Sequence, residues 1–212
     1  MTSPTTADNS QPIGREEKRQ NTRRRVLEAA LQVFESADYQ EANTAEIARL
    51  AGVSHGTVFT VEPTKERLAV AAFDDRLREV GEAAFARAFT MQKPLPVRIM
   101  SVFTALFDFY EAHDHIARIL LRELLLSAQP NEANPNERLL RDYLTGLRVL
   151  LQTGGKTMKN RDLDALSTAI LGTYIVFLLG QLNGIYPDRD SLRERCLGAL
   201  VEVLNEDCQD LT

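Results

Sequence analysis

The fold of this chain is decided by residues Thr44 to Arg67, TAEIARLAGVSHGTVFTVEPTKER. Counting from Thr44, the fifth residue is Ala48, and a small side chain is needed there because two helices cross closely. The ninth residue is Gly52, where a sharp turn requires the left-handed backbone that glycine adopts at little cost. Four apolar residues hold the pair together: Ile47, Ala51, Val53 and Val58. The spacing predicts a helix-turn-helix.

The second helix of this pair leaves a face that carries small and polar residues. Thr44 and Ser54 are predicted to be the N-caps of the first and the second helix. A helix that approaches phosphates and base edges needs compact side chains that form hydrogen bonds. The residues predicted on this outer face are Ser54, His55, Gly56, Thr57, Phe59 and Thr60. We therefore expect a DNA-recognition helix, with base contacts from His55, Gly56, Thr57 and Thr60.

One known family shares this pattern. From Ala30 the chain reads AxxVFxxxxYxxANTAEIARLAGVSHGTVF, and Lys65 and Glu66 then open another helix. This resembles the TetR-type transcriptional regulators over about residues 24–68, whereas the other two thirds are similar only in length and helical pattern. The resemblance implies a homodimeric, all-helical repressor whose recognition helix lies around residues 54–60. It also implies phosphate contacts from Thr44 and Lys65.

Three positions depart from the usual pattern of that family. Phe59 stands where tyrosine is usual, Val61 replaces a polar or aromatic residue, and Glu62 replaces a phenylalanine. We expect Glu62 to place a negative charge near the path of the DNA backbone, and the missing Phe59 hydroxyl to remove a phosphate contact. The alternative function is a ligand-binding protein of the same fold that has weak or lost DNA binding.

The charge of the chain gives no general support for DNA binding. The formal net charge is −5, and residues 1–67 hold 9 Lys and Arg against 10 Asp and Glu. Residues 15–25 are different, with six basic residues against two acidic ones. This segment, and especially Arg23, Arg24 and Arg25, is predicted either to contact phosphates or to be a solvated helix start.

The hydrophobic pattern predicts an all-α chain of about nine helices, because no segment alternates as a strand does. We expect a disordered arm over residues 1–20, a helix-turn-helix domain over 21–67 and an effector-binding and dimerisation domain over 68–212. The first helix is predicted to begin at Arg23 and a loop to cover Gln129–Glu137. Further helices are expected over about 64–90, 96–112, 114–124, 140–151, 162–185 and 191–205.

An uncharged run of 18 residues, Ala165–Leu182, lies near the C-terminus. It could be a membrane span, a core helix, or a helix buried on two faces at once. Polar residues within the run and acidic ones before it favour the last, in which two helices per subunit form a four-helix bundle across a two-fold axis, as in TetR-like proteins. Gly172 and Gly180 would permit close approach. The predicted dimer residues are Thr168, Gly172, Ile175, Val176, Leu179, Leu197, Leu200, Val201 and Leu204.

The resemblance further implies a small-molecule effector bound among the middle helices. An apolar or amphipathic ligand is expected, because the candidate residues are mostly apolar with phenol hydroxyls for orientation. The same aromatic stripe is also typical of an ordinary core. The candidates are Phe103, Phe107, Tyr110, Leu120, Tyr143, Leu147, Tyr174 and Phe177.

Other chemistry has little support in the sequence. Asp108, Glu111 and His115 could bind a metal on one helix face, but Arg118 and Arg122 follow on that side and favour ion pairs. The GGKT sequence at residues 154–157 lacks the first glycine and the strand of a phosphate-binding loop. We expect no cofactor, no metal and no enzyme activity, in a cytoplasmic protein whose two cysteines are reduced.

Overall fold

The computed structural model describes residues 14–36, 38–126 and 135–204 and confirms the all-α fold. These residues form nine α-helices and one short 3-10 helix, over residues 155–158, with no strand among them. The helices are α1 Arg15–Ser36, α2 Thr44–Ala51, α3 His55–Val61, α4 Lys65–Thr90, α5 Leu95–Ala112, α6 Asp114–Leu126, α7 Pro135–Gln152, α8 Leu163–Leu182 and α9 Arg189–Leu204.

Helix α1 begins at Arg15, eight residues before the predicted start at Arg23. The predicted disordered arm over 1–20 is therefore wrong for residues 15–20, and residues 1–13 lie outside the described part of the chain. Side-chain bonds one turn apart stabilise this first part of the helix. Arg19 donates to Glu16 at 2.9 Å, and Gln20 donates to the same carboxylate at 3.2 Å.

The turn chemistry around α2 and α3 is nearly as predicted. Gly52 has φ +63° and ends α2, and the Ser54 side chain accepts a hydrogen bond from the Thr57 amide. The N-cap of α2, however, is Asn43, whose side chain accepts from the Ala45 amide at 2.8 Å. Thr44 is instead the first helical residue, which frees its hydroxyl for another contact.

Helix α4 joins the helix-turn-helix head, formed by α1, α2 and α3, to the body of the molecule, formed by α5 to α9. Its N-terminal residues Leu68 and Ala72 belong to the same buried cluster as Val26 and Phe34 of α1. Further along, the buried residues of α4 pack against α5 and α7. A continuous apolar core therefore crosses the predicted domain boundary at residue 67.

The predicted end of one loop and the predicted end of one helix differ from the structure. The predicted loop Gln129–Glu137 extends too far, because α7 already begins at Pro135, and proline is well suited to a first helical turn. The remainder of that loop, up to residue 134, lies outside the described residues. Helix α8 ends at Leu182 and not at residue 185, because Gly184 takes a left-handed backbone with φ +66°.

Candidate functional site

The second helix of the motif, α3, presents its outer face to solvent. His55, Gly56 and Thr60 are exposed, and Thr57 is half-buried. Phe59 is 39% exposed, whereas Val58 on the opposite face is fully buried. The side chains that the sequence assigns to DNA recognition therefore lie on one accessible surface.

Two of these residues connect the first turns of α2 and α3. The Thr44 hydroxyl is hydrogen-bonded to Nε2 of His55 at 2.9 Å. The His55 ring also packs edge-on against Phe59, with 5.1 Å between ring centroids. Because Thr44 and His55 are candidates for phosphate and base contacts, this bond fixes the two kinds of contact relative to each other.

Glu62 is buried and paired with arginines, so the expectation that it would place a free negative charge near the path of the DNA backbone is wrong. Its side chain is buried, with 6% of the residue exposed. Arg23 donates to its carboxylate at 2.8 Å and to the Val61 carbonyl at 3.0 Å, and Nε of Arg67 lies 3.5 Å from the same carboxylate. The negative charge is neutralised inside the head, where it connects the end of α3 to α1 and α4.

The arginines of α1 have different surroundings. Arg25 donates to the carbonyls of Ala51 and Gly52 at the end of α2. A Cβ atom at residue 52 would lie 2.7 Å from the Arg25 guanidinium, so glycine serves both the turn and this contact. Arg24 is exposed and bonds only within α1, to Asn21 and Glu28. Of the predicted phosphate ligands Arg23, Arg24 and Arg25, Arg24 is the one that is not bonded to the backbone at the end of another helix.

Lys65, a further predicted phosphate ligand, is also committed within the head. Its ammonium group donates to the carbonyl of Tyr39 and lies 4.4 Å from the centroid of the Tyr39 ring. Partial burial lowers the pKa of Lys65. The lysine thus connects the start of α4 to the turn that precedes α2.

The candidate effector residues do not all lie together. Tyr174 on α8 packs between two rings of α5, with centroid distances of 5.0 Å to Phe103 and 5.1 Å to Phe107. The phenols of Tyr110 and Tyr143 lie near enough to reinforce the rise that burial causes in the Tyr174 pKa. Leu120 and Leu147 are buried. Phe177 instead stacks on Tyr186, 5.5 Å away.

Tyr143 also borders a groove between α4 and α7. Its hydroxyl donates to the Leu77 carbonyl at 2.9 Å. The groove holds about 410 Å³ and is lined in part by Phe85, Phe89 and Leu139. Gly81 and Gly146 allow the two helices to approach, since a Cβ atom at either position would lie within 2.7 Å of an aromatic side chain.

Sequence reasoning missed one polar residue of this region. The amide nitrogen of Gln181 donates to the Phe107 carbonyl at 3.4 Å, and its amide oxygen is buried without a partner. The Tyr174 hydroxyl is buried and unpartnered as well. Gln181 lies seven residues after Tyr174 and thus on the same helix face, a spacing that could have identified it.

The predicted dimer residues divide into three groups by their exposure. Thr168, Gly172, Val176 and Leu179 of α8 are exposed, and Val176 has 63% of its surface free. Ile175 and Leu197 are half-buried. The assignment of Leu200, Val201 and Leu204 is wrong for this face, because they are buried inside their own subunit, where α9 packs on α5 and α8. Gly180 is likewise in contact with Tyr186 of the same chain.

Helix α8 is also the one helix in the described ranges that is long and apolar enough to cross a bilayer. Length and composition alone do not distinguish such a span from the core helix of a globular protein. In this structure α8 packs against α7 and α9, and its buried residues include Leu166, Ile170 and Leu178.

The residues considered for a metal have other partners. Asp108 pairs with Arg193 at 3.0 Å, and Glu111 pairs with Arg189 at 2.6 Å. The acidic residues therefore pair with α9, not with Arg118 and Arg122 as predicted. His115 is bonded through Nε2 to the Phe34 carbonyl at 2.8 Å. No group of three metal-ligating side chains occurs in the part of the chain that the structure describes.

Comparison with known proteins points to one family. Residues 26–72 match the family model described as bacterial regulatory proteins, tetR family. A nucleoid occlusion factor, SlmA of Alteromonas mediterranea, is 25% identical over 170 residues, which cover 79% of this chain and 85% of that protein.

Solved structures show that the resemblance in fold extends beyond the head. A TetR transcriptional regulator from Rhodococcus sp. RHA1 superposes with a TM-score of 0.65 at 16% identity, over 89% of this chain and 98% of the other. RolR in complex with resorcinol superposes with a TM-score of 0.65 at 21% identity, over 93% of this chain and 98% of RolR. FadR of Bacillus subtilis in complex with stearoyl-CoA superposes with a TM-score of 0.61 at 20% identity, over 85% of this chain and 98% of FadR. The helix-turn-helix segment of this chain is therefore that of the TetR family of bacterial DNA-binding transcription regulators, and the chain as a whole has the fold of such regulators.

Proposed function

We propose that this chain is a cytoplasmic, ligand-responsive repressor that binds a palindromic operator as a homodimer. The single observation that carries the proposal is the recognition surface of α3. Its outer face is accessible, while hydrogen bonds from Arg23, Arg25 and Lys65 to backbone carbonyls hold the surrounding turns in place. A rigid, outward-facing helix is what docking into a major groove requires.

Contacts to the DNA divide by chemistry. His55, Thr57 and Thr60 can form hydrogen bonds or methyl contacts with base edges, and Gly56 permits close backbone approach. Thr44, the Ser54 hydroxyl and Arg24 are suited to phosphates. The burial of Glu62 removes one of the two sequence features that favoured a protein without strong DNA binding. The other, the missing hydroxyl at Phe59, remains.

Dimerisation is supported by the exposed face of α8. Val176 and Leu179 are large apolar residues left open to solvent. Gly172 lies in mid-helix, and a Cβ atom there would meet nothing within 4 Å. Since glycine in an exposed helix costs about 1 kcal/mol relative to alanine, a partner helix that approaches closely gives this position a purpose. Two such subunits would place the recognition helices in successive major grooves.

Regulation by a small molecule is supported by the connection between body and head. Two proteins of similar fold have structures with a bound ligand, FadR with stearoyl-CoA and RolR with resorcinol, and we infer that this chain binds a ligand too. Helix α6 contacts α4, and His115 bonds to the last turn of α1. A ligand that displaces α6 or α4 would change the spacing of the two heads. A coupling of about 1–3 kcal/mol suffices for a 5- to 150-fold change in operator affinity.

The test is selection of bound fragments from random duplex DNA, followed by titration of the best palindrome over a salt series. A regulator should prefer one palindrome and lose affinity steeply as salt rises. Thr60→Glu should weaken binding at least about tenfold because it adds a negative charge on the face that meets DNA. Gln32→Glu, the same change in charge on the exposed surface of α1, is the matched control and should stay within about twofold. If both variants bind the palindrome like the parent, the outer face of α3 is not the surface that meets DNA. If no sequence is enriched, the chain is a binding protein without an operator.

A further inference from the structure

The inner face of α8 carries two buried polar atoms that lack a hydrogen-bond partner. One is the hydroxyl of Tyr174, a residue that is only 6% exposed. The other is the amide oxygen of Gln181. Both side chains contact α5: Tyr174 lies against the rings of Phe103 and Phe107, and the Gln181 amide donates to the Phe107 carbonyl.

Such atoms are costly, so their presence requires an explanation. A buried hydroxyl without a partner loses its hydration and gains nothing in return, and the great majority of buried polar groups in proteins are therefore paired. Phenylalanine at residue 174 would keep the ring contacts and avoid this cost. The neighbouring Tyr143 hydroxyl, by contrast, is paired with the Leu77 carbonyl. A ligand that bonds to Tyr174 and Gln181 would remove the penalty at both positions.

The surroundings select against charge. Within the described residues, the buried charged side chains are Glu62 and Arg98. Glu62 is paired in the head, and Arg98 donates to the Ala88 carbonyl and the Thr153 hydroxyl. The phenols of Tyr110, Tyr143 and Tyr174 all have raised pKa values because burial disfavours their anions. An anionic ligand would meet the same penalty, because Arg118, the cation that bonds next to Gln181, is exposed and already donates to the Leu182 carbonyl and the Asn183 side chain.

We propose that α5 and α8 bind a neutral, mostly apolar compound with a hydroxyl group, for which Tyr174 is the donor and Gln181 the acceptor. The Tyr174 hydroxyl donates to an oxygen of the ligand, and the Gln181 amide oxygen accepts from a ligand hydroxyl. The rings of Phe103 and Phe107 supply the apolar contact. This inference rests on the proposed effector-binding function and narrows it to uncharged hydroxyl compounds.

Three probes of one shape test the proposal: 2-naphthol, naphthalene and 2-naphthoate. Binding to the full-length chain is measured by calorimetry at pH 7, where the naphthol is neutral and the naphthoate is an anion. We expect 2-naphthol to bind at least about tenfold more tightly than either of the others. Naphthalene has no hydroxyl to pair with Tyr174 and Gln181, and 2-naphthoate carries an uncompensated charge. No binding of 2-naphthol, or equal binding of all three probes, would overturn the proposal.

Two variants assign the preference to the named residues. Tyr174→Phe and Gln181→Met should reduce the preference for 2-naphthol over naphthalene to within about twofold. Tyr186→Phe removes a phenol hydroxyl elsewhere on the same domain and should keep the full preference. Without ligand, Tyr174→Phe should unfold at the same or a higher temperature, since no hydrogen bond is lost. A lower unfolding temperature together with an unchanged preference would mean that the hydroxyl has a structural role, and the proposal would fail.

The outcome is distinguishable from failure of the proposed function. Operator binding by the parent chain is measured separately, with no naphthalene derivative present. A chain that binds DNA but discriminates no probe contradicts only the ligand assignment. A chain that prefers 2-naphthol but selects no DNA contradicts the repressor and leaves the site between α5 and α8 intact.

Discussion

Single residues in the head form ion pairs with residues that are far away in the sequence. Glu62 reads as a departure from the family pattern, and a charge next to the recognition helix suggests repulsion of DNA. The structure buries this charge between Arg23 and Arg67. Sequence could not reveal the pairing, because Arg23 lies 39 positions away and one of several arginines in α1 had to be selected by packing.

Neutralising Glu62 should therefore weaken the head and not strengthen its DNA binding. Glu62→Gln removes the charge that two arginines share, and we expect a loss of about 1–2 kcal/mol in the free energy of unfolding. Urea denaturation measures this loss. Glu46→Gln, which removes an exposed partner of Arg49, is the matched control and should leave stability unchanged. Tighter operator binding by Glu62→Gln would restore the view that this carboxylate repels DNA.

Arg24 and Arg25 are neighbours in sequence with opposite expected roles. Arg24→Gln should leave stability unchanged but reduce by about one the slope of log affinity against log salt, because an exposed phosphate contact is lost. Arg25→Gln should lower stability by about 1 kcal/mol, since the last carbonyls of α2 lose their donor, while the salt slope stays unchanged. Titration over a salt series and urea denaturation of both variants check the pair. An exchange of the two outcomes would show that Arg25 is the phosphate ligand.

At the scale of helices, C-terminal ends are bonded by arginines from elsewhere in the chain. Arg25 serves α2, Arg23 serves α3 and Arg98 serves α4. Arg118 and Arg161 do the same for α8 and α9. Free carbonyls at a helix end attract cations, so the device is physically expected. The N-cap at Ser54 was predictable because donor and acceptor lie within three residues, whereas these arginines are brought in by the fold.

The contact between α4 and α7 depends on glycine at residue 146. A Cβ atom there would lie 2.7 Å from the ring of Phe85, and a rigid ring cannot move aside as a flexible chain end can. Gly146→Ala gains about 1 kcal/mol in helix propensity but costs about 1–3 kcal/mol in overpacking. We expect a net loss of stability by thermal denaturation. Gly198→Ala in α9, where nothing lies within 4 Å, should instead be neutral or stabilising.

Helix α9 contributes a dependence of stability on pH through Cys196. Burial raises the pKa of this thiol to about 12 from an ordinary value of 9.0. Because the folded-state pKa is the higher one, the stabilisation is complete below about pH 9 and is lost as pH rises toward 12. In the Cys208→Ser background, replacement of Cys196 by alanine should make the alkaline decline of the unfolding free energy shallower between these values. An identical decline in the two proteins would mean that Cys196 titrates normally.

For the whole molecule, the sequence predicted what depends on local pattern. The turn at Gly52 and the cap at Ser54 follow from nearest neighbours, and the all-α class follows from periodicity. The predicted dimer residues are exposed only in part, since an apolar helix does not reveal which side meets its own domain. Leu200 and Leu204 of α9 are buried within the subunit to which they belong. That choice depends on how α5 and α8 are placed, and no local pattern encodes it.

The assembly can be tested at one residue of the α8 face. Val176 is 63% exposed in the single subunit, and a two-fold interface would bring it close to its own symmetry mate. Val176→Arg would place two like charges in an apolar contact, which is strongly unfavourable. We expect light scattering at micromolar concentration to show a monomer, and operator affinity to fall at least about tenfold because each head then binds one half-site alone. Val149→Arg on α7, where the valine is 42% exposed, should remain dimeric with unchanged affinity. A Val176→Arg chain that stays dimeric would place the interface on another face and would require a different spacing of the recognition helices.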